Sequence, residues 1–147
     1  MSKSVLVICT GNICRSPYAE AKLKQLLPQL KIASAGLATE VSRLQNKPAD
    51  RLAIKIADEF DVDLSAHKAN QITQELVEEY DIILAMEPGQ IEILRDYFPS
   101  AEYKTFLFGH WINVECIDDP YRQGRHAFLY AFTTINKAVS GWVEKLT

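Results

Sequence analysis

Cys9 and Arg15, with five residues between them, are the side chains whose types and spacing point most directly to chemistry. The residues between them are Thr10, Gly11, Asn12, Ile13 and Cys14, and Ser16 follows. If this segment wraps into a loop at a helix start, its backbone N–H groups converge into a cradle for a tetrahedral dianion. Arg15 would then bind two oxygens of the anion as a planar fork, which lysine cannot imitate.

The same arrangement makes Cys9 a candidate nucleophile. The positive field of the loop and of Arg15 favours the thiolate, which is the reactive form of a cysteine. Ser16 could donate its hydroxyl to that thiolate and ease its departure as a leaving group. Taken alone, Cys9 would be a small buried residue at a strand end and Arg15 a surface charge. Together, between a strand and a helix start, they favour transfer of a phosphoryl group to sulfur.

The elements that must position this loop are predicted from hydrophobic periodicity. Predicted strands cover residues 4–8, 31–35 and 82–85, with a fourth near 103–108. Predicted helices cover residues 16–28, 49–60 and 125–145, and a further helix starts at 87–88. This alternation predicts an α/β fold in which four parallel strands are covered by helices. In such sheets ligands bind beyond the carboxyl ends of the strands, where Cys9 falls.

Composition sets further bounds. A chain of 147 residues with 48% hydrophobic residues fits one domain, residues 1–147. The net charge of −3 comes from mixed signs, which argues against nucleic acid as a partner. No apolar run reaches a spanning length and no signal-peptide core is present, so we predict a cytoplasmic protein without membrane insertion. The three cysteines and scattered histidines argue against a disulfide framework and a metal site.

The segment from Cys9 to Ser16 resembles the signature of the low-molecular-weight protein tyrosine phosphatases, which is Cys, five residues, Arg and Ser near the N-terminus. Further anchors occur in the family's order at Ser34-Ala35-Gly36, Ser65-Ala66-His67 and Asp119-Pro120-Tyr121. The resemblance covers essentially the whole chain. It implies a doubly wound four-stranded parallel sheet with helices on both faces, and phosphotyrosine hydrolysis through a phosphocysteine intermediate. It also implies that no metal or organic cofactor is used.

The resemblance also assigns residues. The family's general acid is the Asp before Pro120, which is Asp119 here; Asp118 would then belong to an exposed turn. Asn12 is expected to adopt a positive φ, and Ser34 and His67 to tether its side chain behind the loop as supporting residues. The predicted substrate-binding residues are the loop residues Thr10, Gly11, Asn12, Ile13, Cys14 and Ser16, together with Leu37 and Tyr121, which would flank a phenyl phosphate.

Ile13 bears on the substrate, because arginine phosphatases of the wider family tend to carry Thr at that position. Ser34-Ala35-Gly36-Leu37 and Asp119-Pro120-Tyr121-Arg122 look most like bacterial members that act on autophosphorylating tyrosine kinases of capsule and exopolysaccharide export. By analogy, a tyrosine-rich kinase tail is the expected partner. The expected assembly is a monomer or a weak dimer.

Three alternatives use a similar fold or loop. A thiol-coupled arsenate reductase needs further relay cysteines, and the sequence has none between Asp58 and Asp96. A phosphocysteine carrier of sugar phosphotransfer, or an inactive binding module, would have less need of Arg15 and Asp119. Cys14 has a separate interpretation, since it could form a reversible disulfide with an oxidised Cys9, or could serve only in packing.

Overall fold

The computed structural model describes residues 3–147, and in that range strands and helices alternate along the chain. The strands are β1 (Val5–Cys9), β2 (Ile32–Gly36), β3 (Ile82–Ala85) and β4 (Thr105–Leu107). The helices are α1 (Arg15–Leu26), α2 (Arg51–Glu59), α3 (Gln74–Glu79), α4 (Pro88–Tyr97) and α5 (Arg125–Leu146). Short 3-10 turns cover Pro99–Lys104 and His110–Ile112.

The strands form one parallel sheet in the order β2-β1-β3-β4, which confirms the predicted four-stranded α/β fold. β1 is central, and its last residue, Cys9, lies in register with Gly36 of β2. On the other side of β1, Ile8 is paired with Ala85 of β3. The carboxyl ends of three strands therefore meet around Cys9, and the loops that follow them can all reach one site.

Helices cover both faces of the sheet, as the doubly wound prediction requires. Along β1, Val5, Val7 and Cys9 belong to the core shared with α1, α2 and α5. Leu6 and Ile8 belong to the core on the opposite face, shared with α3 and α4. All of β1 is buried, because alternate side chains of a strand point to opposite faces and both faces are covered here.

Two elements differ from the sequence prediction. α3 was not predicted; it is only six residues long, starts with the Thr73 side chain capping Leu76 N, and buries only Val77. β4 is shorter than the predicted 103–108, because the chain up to Lys104 is a 3-10 turn. The predicted domain also includes residues 1 and 2, which lie outside the described range. Within residues 3–147, no helix combines the length and apolarity needed to cross a membrane.

Candidate active site

Residues 9–15 link β1 to α1 and form what we call the cysteine loop. Its carbonyl groups are held from outside by hydrogen bonds, and their donors come from three other parts of the chain, which are residues 37–39, Asp50 and His67. These bonds run from Leu37 N to Cys9 O (3.0 Å), Ala38 N to Thr10 O (2.9 Å), Thr39 Oγ1 to Gly11 O (2.9 Å), His67 Nε2 to Asn12 O (2.7 Å) and Asp50 N to Ile13 O (2.9 Å). A trans peptide points its N–H away from its C=O, so the loop N–H groups turn inward and converge.

Gly36 lets this support approach the loop closely. A Cβ at this position would lie 2.1 Å from Thr39 Oγ1 and 2.8 Å from Thr10 O, both members of the hydrogen bonds that hold the loop. Any larger residue would push the segment after β2 away from the cysteine loop. Steric space therefore explains why the Ser34-Ala35-Gly36 motif ends in glycine, and the sequence alone does not show this.

Cys9 lies at the base of the ring of N–H groups and is only 3% exposed. Its Sγ is 2.9 Å from Ser16 Oγ and accepts a hydrogen bond from Asn12 N at 3.3 Å. Asn12 Nδ2 in turn donates to Ser16 Oγ at 2.7 Å. When Cys9 is a thiolate its sulfur can only accept, so the Ser16 hydroxyl donates to it and stabilises the anion.

Asn12 joins the loop to a polar network behind it. Its φ is 62°, in the left-handed region as predicted, and its Nδ2 also donates to Ser34 Oγ at 2.9 Å. Ser34 donates in turn to Glu20, a residue that none of the sequence motifs indicates. Asn12 Oδ1 accepts from Asn70 N at 2.9 Å. The side chain is thus fixed at both ends, which holds a strained backbone conformation in place.

His67 acts differently from the prediction, which gave it a bond to the Asn12 side chain. Its Nε2 contacts the Asn12 backbone carbonyl instead, and that oxygen can only accept, so Nε2 carries the proton. Burial lowers the pKa of His67, although the bond to Asn12 and the charge of Glu20 oppose this effect. A neutral imidazole is sufficient for the contact observed.

Arg15 is 2% exposed and fixed by two hydrogen bonds from the same nitrogen. Its Nη1 donates to Glu87 Oε2 and to the Ile117 carbonyl, both at 2.7 Å. These bonds use both Nη1 protons, so the edge formed by Nε and Nη2 is the fork that can face an anion. Burial opposes the charge, but the negative charge of Cys9 and the bond to Glu87 raise the pKa of Arg15 above its ordinary value.

The sequence indicates Glu87 only as part of a helix start. It follows β3 at the same carboxyl edge as Cys9, so the rule that located the cysteine loop could also have located this carboxylate. Its role is to orient the Arg15 guanidinium and balance its buried charge.

The pocket above Cys9 has a volume of about 180 Å³ and gathers most of the predicted site. Its lining consists of Cys9, Thr10, Gly11, Ile13, Cys14, Arg15, Ser42, Leu44, Asp119 and Tyr121. Leu37 is not in this lining, so its contact with the phenyl ring of a substrate stays a prediction. Its backbone N–H supports Cys9 O, while its side chain packs on the α3 and α4 face of the sheet. Leu44 and Ser42, from the following loop, take the expected position.

Asp119 stands at the pocket opening and is about half exposed. Its Oδ2 lies 3.8 Å from Arg15 Nη2, and its Oδ1 accepts from Tyr121 N at 3.1 Å. Asp118 instead accepts from the exposed Cys116 thiol at 3.1 Å and does not line the pocket. The structure therefore brings one carboxylate of this pair to the site. Among residues 3–147 no group of three or more His, Cys, Asp or Glu side chains is placed to hold a metal ion.

An α/β sheet that carries a buried cysteine at its carboxyl edge, together with a buried Arg15 and a carboxylate at the same pocket, is typical of the cysteine-dependent phosphatases. The sequence model of the family described as "Low molecular weight phosphotyrosine protein phosphatase" matches residues 4–147. The chain belongs to this family, as its sequence resemblance predicted, and is a protein tyrosine phosphatase.

Named relatives agree over nearly full length. The chain is 44% identical to the low molecular weight protein-tyrosine-phosphatase Wzb of Escherichia coli K12, covering 99% of this chain and 97% of that protein. It is 44% identical to the probable phosphatase AmsI of Erwinia amylovora, covering 100% and 99%. Among solved structures, Vibrio vulnificus Wzb in complex with benzylphosphonate is 47% identical and superposes with a TM-score of 0.96, over 99% of this chain and 100% of that one.

Proposed function

We propose that the chain hydrolyses phosphotyrosine in proteins through a phosphocysteine intermediate on Cys9. The observation that carries this proposal is the cysteine loop itself, in which all carbonyls from Cys9 to Ile13 are held outward around one buried sulfur. Such a ring binds the three terminal oxygens of a phosphate and places its phosphorus above the thiolate. The N–H groups and the Nε–Nη2 edge of Arg15 also stabilise the charge on those oxygens during transfer.

In the first step the Cys9 thiolate forms a bond to phosphorus while the bond from phosphorus to the tyrosine oxygen breaks. Asp119 is the proposed acid that protonates this leaving oxygen, because it stands at the pocket opening on the side where the ring would lie. In the second step Asp119, now a carboxylate, takes a proton from water as the water attacks phosphorus. Inorganic phosphate is released, and the Ser16 hydroxyl stabilises the departing thiolate.

The pocket walls support an aromatic substrate. Tyr121 and Leu44 are both partly buried at the opening and can flank a phenyl ring, with Ile13 lower in the pocket. The bound benzylphosphonate of Vibrio vulnificus Wzb carries a phenyl ring joined to phosphorus through one CH₂ group, which supports the same use of the pocket here. Ile13, where arginine phosphatases tend to carry Thr, favours phosphotyrosine over phosphoarginine.

For the physiological partner we propose the tyrosine-rich tail of an autophosphorylating kinase of polysaccharide export, on the strength of the motif resemblance. The proposal includes one domain over residues 1–147 that works in the cytoplasm as a monomer or weak dimer without a cofactor. A reducing compartment suits an enzyme whose nucleophile is a thiolate.

The test is a panel of matched peptides that carry phosphotyrosine, phosphoserine or phosphoarginine. We expect phosphotyrosine to be hydrolysed fastest, because a phosphoserine side chain is too short to bring its phosphate down to the buried Cys9. Phosphate release over time gives kcat/KM for each peptide, and the Cys9→Ser variant supplies the blank. Equal or faster release from phosphoarginine would contradict the proposed substrate class.

A second test concerns Cys14, which is buried in the same pocket. Peroxide would oxidise the Cys9 thiolate to a sulfenic acid, and attack by Cys14 on that sulfur would release water and form a disulfide. We expect mild peroxide to inactivate the enzyme and a dithiol to restore it, whereas Cys14→Ser should lose activity irreversibly. Burial, with the nearby charges of Asp50 and Cys9, raises the pKa of Cys14, so disulfide formation should quicken as pH rises.

Mass spectrometry of the oxidised protein checks this prediction. Cys9 and Cys14 lie in one tryptic peptide, which is expected to lose the mass of two hydrogens on oxidation and to regain it after treatment with a dithiol. Recovery of Cys14→Ser as complete as that of the unaltered protein would show that Cys14 serves only in packing.

A further inference from the structure

An apolar groove of about 530 Å³ lies beside the active-site pocket, and Thr10 lines both. Its base is formed by Leu37, Ile72 and Phe98, which belong to the hydrophobic core on the α3 and α4 face of the sheet. Thr10 is fixed by a hydrogen bond from the buried Gln90 side chain, 3.3 Å from Gln90 Nε2 to Thr10 Oγ1. The wall between pocket and groove is therefore held in place from below.

The rim of the groove consists of large apolar side chains that the fold leaves in water. Ile93 and Tyr97 are 44% and 75% exposed, and Val41, on the loop that follows β2, is 82% exposed. Ile93 and Tyr97 are four residues apart on α4 and so lie on one side of the helix. Leu94 already supplies the buried side of α4, so these two side chains are additional to its core contacts. Clustered exposed apolar groups of this kind mark contact surfaces.

We propose that this groove binds a large apolar side chain of the substrate polypeptide, next to the phosphotyrosine in sequence. The inference rests on the proposed hydrolysis of phosphotyrosine within a protein chain. Such a chain must cross the opening of the pocket, and the groove begins at Thr10, the residue after Cys9. An extended chain advances about 3.3 Å per residue, so side chains within about three residues of the phosphotyrosine can reach the groove.

The residues that line the groove determine which substrate side chains can bind there. Every side chain that lines the groove is uncharged, including the polar Thr10 and Gln71. The Gln71 amide is already bonded at both ends, to Leu37 O and from Glu40 N, each at 2.9 Å. A second phosphotyrosine or an acidic side chain would lose its hydration here without gaining a partner. Leucine, isoleucine or phenylalanine would instead release water from both surfaces.

The experiment compares phosphotyrosine peptides in which all flanking residues are alanine with peptides that carry one leucine, moved from three residues before the phosphotyrosine to three after it. Full burial of a leucine side chain strengthens binding by more than about tenfold, and an open groove buries only part of the side chain. We expect leucine at one or two positions to raise kcat/KM by about tenfold. A leucine series without any preference would overturn the proposal.

Variants locate the effect. Ile93→Gln on α4 and Val41→Gln on the loop after β2 both change the lining of the groove, and each should reduce the leucine gain to less than about threefold while the rate with 4-nitrophenyl phosphate stays unchanged. Arg95→Gln, an exposed substitution on the same helix and away from the groove, is the matched control and should retain the full gain. A gain that survives both groove variants would place the leucine site elsewhere and overturn the proposal.

Two further readouts separate the possible failures. If the enzyme does not hydrolyse even the all-alanine phosphotyrosine peptide, the proposed function fails, whereas an active enzyme without leucine preference overturns the groove proposal alone. Sedimentation at assay concentration tests a second copy of the chain as the occupant. The substrate interpretation would be overturned if the protein is a dimer that Ile93→Gln dissociates and if kcat/KM is the same for all peptides of the leucine series.

Discussion

Replacement of Cys9 by serine is expected to reduce hydrolysis of aryl phosphates by on the order of 10⁶-fold, or to the detection limit. A serine hydroxyl at this position would remain protonated near neutral pH, and its neighbour Ser16 is a hydrogen-bond donor that cannot act as a base to deprotonate it. The fold should be retained, because the oxygen is smaller than the sulfur it replaces and can keep the bonds to Ser16 and Asn12.

Phosphate release from 4-nitrophenyl phosphate measures the effect, and thermal unfolding shows whether the fold is intact. Cys116→Ser is the matched control, since it makes the same substitution at an exposed thiol outside the pocket and should keep the unaltered rate. Cys9→Ser should still bind inorganic phosphate, because the loop N–H groups and Arg15 remain. Substantial turnover by Cys9→Ser would rule out sulfur as the nucleophile.

The intermediate itself can be observed in the unaltered enzyme. Rapid mixing with a phosphotyrosine peptide, followed by acid quenching and peptide mass analysis, should place phosphate on the peptide that contains Cys9. Because the Ser16 hydroxyl is directed to the sulfur, a Ser16→Ala variant should accumulate this species for longer. Phosphate found on another residue would contradict the proposed pathway.

The parts of the fold that the sequence predicted well are those with strong periodic patterns. β1 and β3 are continuous apolar runs buried on both faces, and α5 repeats apolar residues at helical spacing over five turns or more. α3 has six residues and one buried side chain, too few for a pattern. β4 pairs only through residues 105–107, which is too short for a clear alternation of apolar residues, and the 3-10 turn that precedes it includes part of the predicted strand.

In the site, too, residues within one short segment could be predicted from the sequence, whereas contacts between distant segments could not. Cys9, Arg15 and Ser16 were found because one short segment fixes their spacing. Leu37 lies outside the pocket lining, since proximity to Gly36 in sequence does not tell which face of the sheet a side chain takes. The supports that Ala38 and Asp50 give to the loop could not be found, because both act through backbone N–H groups, which every residue type except proline carries.

Asp119→Asn is the second large effect expected. Asparagine has the same size and can keep its oxygen toward Tyr121 N, so the loop geometry should persist, but it cannot donate a proton to the leaving oxygen. General acids contribute about 10²- to 10⁴-fold, and the loss with phosphotyrosine should be of that order. Activated aryl esters, whose leaving groups depart as anions, should suffer much less.

The decisive measurement is the dependence of rate on leaving-group pKa, under conditions where formation of phosphocysteine limits the rate. The unaltered enzyme should show a shallow dependence, because Asp119 supplies the proton that poor leaving groups need. Asp119→Asn should show a steep one. Asp118→Asn makes the same change one residue away, at a carboxylate that bonds Cys116 and lies outside the pocket, so its dependence should match that of the unaltered enzyme. If the rate depended more steeply on leaving-group pKa in Asp118→Asn than in Asp119→Asn, Asp118 would be the general acid.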